Sequence, residues 1–383
     1  MNCGFSDLVS RHGADLTSLE RWPGLAPSTR WVACIPARDE AARIAATILA
    51  LDKEFGPVLH VLLLVNDTSD ETLAVVQSVV AGLQCALTAV CVEWRNASSS
   101  APKARALAFD LADLAAPNAT FIFSTDADTV VLPGLRQAYE DAFACGFDMV
   151  CGQITFDEAE VAAVDPLHPQ RDAAIGEYRG ICRELQALWF PDPDNPWPHH
   201  GGIGGANFAV TRTAYRLAGP IPAVPFGEDW ALRRRFEGFG LRIRHDEAPR
   251  VATSCRLDSR TEGGLSAELR RNRVEADPIV DEALETPSRL HRRLRLRRLV
   301  EAETDRRHVA SALSGHGLSP DRADELAALP ARKMAWFHAE AELPCLRRTP
   351  MRFSELCRHL PSLRHLLART AAARPRSARD AGN

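Results

Sequence analysis

Residues 121–132 are Phe121-Ile-Phe-Ser-Thr-Asp-Ala-Asp-Thr-Val-Val-Leu132, an apolar run that ends abruptly in two carboxylates. The apolar part predicts a buried strand, and Asp126 and Asp128 follow at its end. Because side chains alternate along extended backbone, both carboxylates point the same way and can share a hard divalent cation. The alternative is a solvated turn in which the aspartates cap the helix that Pro133 begins.

Three further strand candidates precede this stretch, and they are Trp31–Ile35, Val58–Val65 and Ala86–Val92. The first ends in Pro36-Ala-Arg-Asp-Glu40 and the second in Asn66-Asp67, and a helix is predicted after each. Another helix begins near Pro102 and carries Lys103 in its first turn. This alternation predicts an α/β fold with a mainly parallel central sheet flanked by helices. Ligands should then collect at the carboxyl ends of the strands.

The second half of the chain is less regular. A helix is predicted at Pro133–Cys145, a strand at Phe147–Gly152 and a helix near Ala173–Trp189, while Pro191–Asn207 begins as a Pro- and Gly-rich loop. Gly227-Glu-Asp-Trp230 opens an amphipathic helix. We therefore predict a lead-in at residues 1–30, an α/β domain at 31–264, a helical region at 265–370 and a disordered tail at 371–383.

Composition excludes several classes of protein. The 383 residues carry a formal net charge of −4, which gives no reason to expect a nucleic-acid partner. The ten cysteines form no C-x-x-C pair, and many lie in apolar runs, so they are expected to be reduced core residues. No run is long enough for a membrane span, and the N-terminus lacks a signal-peptide pattern. These features predict a cytoplasmic location.

The two common nucleotide-binding motifs are absent from the sequence. A dinucleotide fold needs G-x-G-x-x-G after the first strand, where this chain has Pro36-Ala-Arg-Asp-Glu40. A P-loop needs a Gly-x4-Gly-Lys-Ser/Thr run, and the sequence contains none. Both folds are therefore unsupported.

The order of the polar segments resembles the family 2 glycosyltransferases of the GT-A fold over roughly Val32 to Gly240. The segments are Ile35-Pro-Ala-Arg-Asp-Glu40, Asn66-Asp67, Pro102-Lys-Ala-Arg-Ala106, Asp126-Ala-Asp128 and Gly227-Glu-Asp-Trp230. The resemblance implies a nucleotide site lined by Pro36, Ala37, Arg38 and Glu40, a base contact from Asp67, and Lys103 facing the diphosphate. It also implies that Asp126 binds the ribose, that Asp128 binds the metal, and that Glu228 and Asp229 supply the catalytic base.

Elementary chemistry agrees with these roles. A nucleoside diphosphate that leaves as the glycosidic bond breaks carries negative charge, which Mg²⁺ or Mn²⁺ held by oxygen ligands can neutralise. Asp128 is the preferred ligand, and Asp126 could bind ribose hydroxyls or a metal-bound water. A carboxylate can take the proton of an acceptor hydroxyl; we assign that role to Asp229, with Glu228 as its orienting partner.

Each assignment has a structural alternative. Arg38 to Glu40 could be a solvated helix start, and Asp67 could bond its own turn. Lys103 could be a surface residue, and the Glu228–Asp229 pair could cap a helix. His199, His200 and His245 lack ligand spacing and are more typical of hydrogen-bonded structural residues; whether His245 joins the metal stays open.

We expect a metal-dependent, inverting glycosyltransferase of the hexosyltransferase type that moves one sugar from a nucleotide-diphosphate sugar to a hydroxyl acceptor. Single transfer is favoured because Leu269–Arg273 has no Q-x-x-R-W motif and membrane helices are lacking. The alternatives are a nucleotidyltransferase and an inactive nucleotide-sugar-binding or scaffold protein. The arginines at 292–298 are expected to form a solvated helix face, with peripheral membrane contact, a phosphorylated acceptor or a partner as the other options.

Overall fold

The computed structural model of the protein describes residues 3–25, 29–95, 100–157, 160–161, 168–255, 274–281 and 283–373. The chain divides into two compact units. The first contains Met1–Val164, His200–Glu237 and Leu241–Ser266, and the second contains Asp165–His199, Gly238–Gly240 and Ala267–Asn383. The second unit thus includes residues 165–199, which the sequence placed in the α/β domain.

The first unit is built on a sheet with the strand order β1-β4-β3-β2-β5-β8-β7-β9-β6. The strands are β1 Ala14–Trp22, β2 Trp31–Ala37, β3 Leu59–Asn66, β4 Ala86–Trp94, β5 Phe121–Ser124, β6 Thr129–Val131, β7 Met149–Phe156, β8 Phe208–Thr211 and β9 Ile243–Thr253. β4, β3, β2 and β5 run parallel to one another, as the alternation predicted. Antiparallel pairs attach β1 to β4, β8 to β5 and β7, and β6 to β9.

Helices cover both faces of this sheet. They are α1 Cys3–Arg11, α2 Ile44–Phe55, α3 Thr72–Val79, α4 Ala101–Ala115, α5 Leu135–Ala144, α7 Arg212–Ala218 and α8 Glu228–Gly238. On β2, Ala33 and Ile35 pack with α2 and α5, whereas Val32 and Cys34 pack with α4. Burying a side chain such as Ile35 contributes about 1.5–3 kcal/mol. The predicted α/β architecture is confirmed.

The N-terminal segment, predicted as a lead-in over residues 1–30, contains a short helix and a strand that the sequence did not indicate. α1 and β1 are regular elements, and β1 pairs antiparallel with β4 at the sheet edge. The strand was missed because its sequence, Ala14-Asp-Leu-Thr-Ser-Leu-Glu-Arg-Trp22, alternates poorly between apolar and charged residues. Only Ala14 is fully buried, so the core selects few of its side chains.

The second unit consists of helices, as predicted for the C-terminal region. They are α6 Pro169–Trp189, α9 Pro287–Ala302, α10 Arg306–Gly315, α11 Pro320–Ala328, α12 Arg332–Glu342 and α13 Phe353–Ala372. Two apolar clusters hold them together. One contains side chains of α9, α10, α11 and α12, and the other contains side chains of α6, α9 and α13. In the part of the chain described, no helix is long and apolar enough to cross a membrane. The predicted boundary at 264/265, the Leu269–Arg273 segment and most of the predicted tail lie outside the described residues.

Candidate functional site

The polar segments predicted to bind ligand lie at one edge of the parallel sheet. Ala37 pairs with Val65, and Cys34 pairs with Ser124, in parallel register. The segment that follows β2, the turn that follows β3 and the Asp126–Asp128 segment therefore extend from the same ends of neighbouring strands. This is the edge at which open α/β sheets bind their ligands.

The segment after β2 is fixed to the turn after β3 by hydrogen bonds. Asp39 Oδ1 accepts bonds from the Ser69 N–H at 2.7 Å and the Ser69 hydroxyl at 3.0 Å. The Glu40 N–H donates to Thr72 Oγ1 at 2.8 Å. Asp39 has φ of 51°, a conformation uncommon for a residue with a side chain, and these bonds stabilise it. Glu40 is buried, while Arg38 is exposed at the rim.

Asp67 also has a structural task. Its φ is 45°, and its Oδ1 accepts a hydrogen bond from the Trp94 N–H at 3.0 Å, which fixes the end of β4. Lys103 lies exposed in the first turn of α4, where its N–H donates to the capping hydroxyl of Ser100 at 3.3 Å. Asp67 therefore bonds to the end of β4, Lys103 is a surface residue as its structural alternative stated, and both lie at the same edge of the sheet.

Arg105 connects the predicted carboxylates, and sequence reasoning overlooked it. Its guanidinium is 4% exposed. It donates to Asp126 Oδ1 at 2.6 Å, Glu228 Oε1 at 2.9 Å, Ser124 Oγ at 2.8 Å and the Gly205 carbonyl at 2.9 Å. Residues from β5, α8 and the segment before β8 are thus joined through one side chain. The available signal was an arginine on the buried face of α4, two residues after Lys103.

This arrangement places one guanidinium between two carboxylates, so the three side chains carry one net negative charge. Burial alone would lower the pKa of Arg105, but the carboxylates of Asp126 and Glu228 outweigh it and raise that pKa. The Glu228 side chain is 9% exposed and the Asp126 side chain 36% exposed. Removing one partner of a buried ion pair typically lowers the free energy of unfolding by about 3–5 kcal/mol, because the remaining charge is left buried without compensation.

Gly205 allows the close approach of Arg105. A Cβ at residue 205 would collide with the guanidinium. We expect Gly205→Ala to lower the free energy of unfolding by about 1–3 kcal/mol, because the Arg105 contacts must shift. Chemical denaturation measures this loss. The matched control is Gly202→Ala, whose added methyl finds its nearest neighbour at 3.7 Å; equal losses in both variants would contradict the prediction.

Asp229 lies beside this cluster in the first turn of α8. It is half-buried, and its Oδ1 accepts a hydrogen bond from the Trp230 N–H at 2.7 Å. Burial, followed by the nearby charge of Glu228, raises the pKa of Asp229 to about 6, although Arg105 opposes the change. A carboxylate with this pKa is ionised at neutral pH and is a stronger base than an ordinary aspartate.

A metal ion would find few protein ligands at this edge. Asp128 is half-buried. The carbonyl of the preceding residue, Ala127, accepts a hydrogen bond from the Thr47 hydroxyl at 2.9 Å. One oxygen of Asp126 already accepts from Arg105. Within the described ranges, no group of three or more His, Cys, Asp or Glu residues could hold a metal. The donor set does not form an all-protein cage, but it fits a Mg²⁺-like ion held by one or two carboxylates and substrate phosphates.

His245 is engaged in other contacts. It is 8% exposed, and its Nδ1 lies 3.0 Å from the Gly202 carbonyl. Since a carbonyl can only accept, Nδ1 carries the proton, and Nε2 then accepts from Arg233 at 3.4 Å. His200 similarly contacts the Cys151 carbonyl at 3.1 Å through Nε2. Both histidines thus fix the segment before β8.

Comparisons with known proteins find resemblance in structure only. No family model matches the chain, and no curated protein matches it. S. aureus TarS 1-349 in complex with UDP-GlcNAc is 12% identical, with 89% of this chain and 88% of that chain covered and a TM-score of 0.43. The mannosyltransferase PcManGT from Pyrobaculum calidifontis, in complex with GDP-Man and Mn²⁺, is 17% identical, with 94% and 81% covered and a TM-score of 0.42.

Glucosyl-3-phosphoglycerate synthase from Mycobacterium tuberculosis is also similar. It was solved in complex with Mn²⁺, UDP-glucose and phosphoglyceric acid. It is 16% identical, with 70% of this chain and 81% of that chain covered and a TM-score of 0.38. Because all three TM-scores lie below 0.5, these likenesses carry no conclusion about the reaction of this chain.

Proposed function

We propose that the first unit is a GT-A domain that transfers a single hexosyl group from a nucleotide-diphosphate sugar to a hydroxyl acceptor with inversion. One observation supports this most directly: buried Arg105 joins Asp126, at the end of β5, to Glu228, next to Asp229 with its raised pKa. This arrangement puts a pre-positioned base near the carboxylates expected to bind the donor.

The donor would bind along the carboxyl ends of β2, β3 and β5. The residues proposed for the nucleotide are Pro36, Ala37, Arg38, Glu40, Asp67, Lys103 and Asp126. Arg38 and Lys103 are exposed cations at this edge and would face the diphosphate. Asp126 would bind the ribose through an oxygen that Arg105 orients. Glu40 and Asp67 would act mainly by keeping the loops in place, since one is buried and the other bonds to Trp94.

Asp128 is the residue proposed to hold Mg²⁺ or Mn²⁺, together with phosphate oxygens of the donor. When bound, the cation would neutralise the negative charge that develops on the leaving nucleoside diphosphate. The half-buried position of Asp128 beyond the end of β5 suits a ligand that reaches from the sheet edge toward solvent.

Asp229 is the proposed base. Its carboxylate would take the proton from the acceptor hydroxyl as that oxygen attacks the anomeric carbon. Glu228, held by Arg105, would fix the first turn of α8 and so orient Asp229. One in-line attack by the deprotonated hydroxyl breaks the bond to the leaving diphosphate and inverts the anomeric centre.

Asp128→Ala is expected to remove the metal-dependent part of donor binding. In a thermal-shift screen of UDP-, GDP- and dTDP-sugars with and without Mn²⁺, the natural chain should melt higher with its donor, and Mn²⁺ should add to that shift. The variant should lose the added shift. The control is Asp141→Ala, which alters an exposed carboxylate on α5. An unchanged Mn²⁺ effect in Asp128→Ala would show that this residue is not a ligand.

The products of the reaction separate this proposal from its alternatives. A glycosyltransferase releases a nucleoside diphosphate from the sugar nucleotide that gives the largest thermal shift. A nucleotidyltransferase releases pyrophosphate from a nucleoside triphosphate and a sugar phosphate. A binding protein without activity shows the thermal shift and releases neither product across an acceptor panel.

A further inference from the structure

A groove in the helical second unit has features of a ligand site that the proposed reaction does not use. Its volume is about 350 Å³, and it is lined by Trp189, Arg295, Arg298, Leu299, Ala302 and Glu303. Trp189 is the last residue of α6, and the other lining residues lie on or just after the C-terminal half of α9. The groove thus lies where the end of one helix meets the side of another.

Two guanidinium groups, those of Arg295 and Arg298, are the cationic donors that line this groove. The guanidinium of Arg298 lies over the indole ring of Trp189, 5.8 Å from its centroid. The Trp189 Nε1 atom is buried, so Trp189 contributes its ring, and not its N–H, to the groove.

Four arginines of α9 fall into two groups. Arg293 is buried and bonds to Glu285 and Glu340, and Arg297 pairs with Glu301 at 2.8 Å. Arg295 and Arg298 are exposed, and the described residues give neither of them a carboxylate partner. The first group therefore holds the helices together, and the second has charge available for a ligand.

Glu303 carries a negative charge, because the hydrogen bond from the Asp305 N–H and those from His308 and Thr304 lower the pKa of its carboxyl, so two positive charges and one negative charge line the groove. Its Oε1 accepts from the N–H groups of Thr304 at 2.8 Å and Asp305 at 3.0 Å, and its Oε2 contacts His308 at 3.2 Å. These contacts organise the chain entering α10.

The pKa of the neighbouring His291 is affected by burial and by the positive charge of Arg295. His291 lies 5.8 Å from Trp189 between ring centroids. Burial first, and then the charges of Arg295 and Arg369, lower the pKa of His291. A protonated imidazole is thus disfavoured here, as an added cation would be.

We propose that this groove binds a phosphoryl group, with Arg295 and Arg298 bonding its oxygens and the ring of Trp189 supplying a flat apolar wall. Guanidinium groups match the bidentate geometry of phosphate oxygens, and a tetrahedral oxyanion can accept from several directions at once. The groove is open to solvent, so the phosphoryl group can belong to a small molecule or to a lipid headgroup.

The test uses the full chain titrated calorimetrically with inorganic phosphate. The double variant Arg295→Gln/Arg298→Gln should bind phosphate at least about tenfold more weakly than the natural chain. Arg292→Gln is the matched control, because it removes an equally exposed arginine of α9 that does not line the groove. Any phosphate bound at the catalytic edge is common to all three proteins. Equal affinity in the double variant and the control overturns the proposal.

Vesicles of phosphatidylcholine with and without phosphatidate identify the source of the phosphoryl group. Sedimentation with the phosphatidate vesicles that is lost in the double variant but kept in Arg292→Gln assigns the site to a lipid headgroup. Phosphate binding lost in the double variant, without sedimentation of the natural chain, assigns it to a soluble ligand. If the natural chain neither binds phosphate nor sediments with vesicles, the proposal is wrong, whatever the outcome for sugar transfer.

Discussion

Asp229→Asn is expected to lower turnover by about 10² to 10⁴ while donor affinity changes little. Asparagine keeps the size of the side chain and can still accept from the Trp230 N–H, but it cannot take the acceptor proton. Steady-state kinetics together with calorimetric donor binding separates the two effects. Glu228→Gln is the comparison, since an amide oxygen can still accept from Arg105. It should slow transfer less at equal stability; if it slows transfer more, the two roles must be exchanged.

The same residue predicts a pH dependence. Because the pKa of Asp229 is raised from 3.8 to about 6, kcat/KM should rise with pH through about 6 and then level off. The folded state binds this proton more tightly than the unfolded state, so the residue lowers stability as pH rises from about 4 to about 6. Asp229→Asn should therefore melt higher than the natural chain at pH 7 and nearly equal to it at pH 3.5. A melting difference that is independent of pH would contradict the raised pKa.

Arg105→Met is expected to have the largest effect on stability, a loss of about 3–5 kcal/mol, and to abolish donor binding. The substitution leaves the Asp126 and Glu228 carboxylates close together without their shared cation, and it leaves the Ser124 hydroxyl to donate to the Gly205 carbonyl without Arg105. Urea denaturation measures the loss, and the thermal shift with donor measures binding.

A neutral variant separates charge from packing at this position. Adding Asp126→Asn and Glu228→Gln to Arg105→Met removes both uncompensated charges and should restore a large part of the stability without restoring transfer. A single variant that unfolds at the same urea concentration as the natural chain would show that the cluster contributes no stability. A triple variant as unstable as the single one would show that the lost packing, and not the uncompensated charge, sets the cost.

The parallel strands of the first unit and the helices between them could be predicted because their sequence patterns are strong. β2, β3 and β5 are short apolar runs that end in polar residues, so both their burial and their common edge follow from pattern alone. β1 could not be predicted in this way, because an edge strand in which only Ala14 is fully buried has no such pattern. Its place depends on the partner strand β4, which is distant in sequence.

Some candidate site residues could likewise be found from local sequence motifs, and others could not. The motifs located Asp126, Glu228 and Asp229, and the structure joins the first two through Arg105. That arginine was missed because its role depends on what the fold places opposite it: a charged residue on a helix is usually solvated, and nothing local distinguishes this one. The raised pKa of Asp229 likewise follows from burial, which the sequence motif does not encode.

The antiparallel strand β1 has a consequence for how the protein behaves in solution. Its residues Ala14 to Trp22 pair with the outer edge of β4, and its charged residues Asp15 and Arg21 are exposed. Without it, β4 would present unpaired backbone N–H and C=O groups in a strand with consecutive apolar residues such as Ala89 and Val90, and such an edge invites pairing with another chain. The segment that carries no proposed catalytic group therefore protects the parallel strands from aggregation.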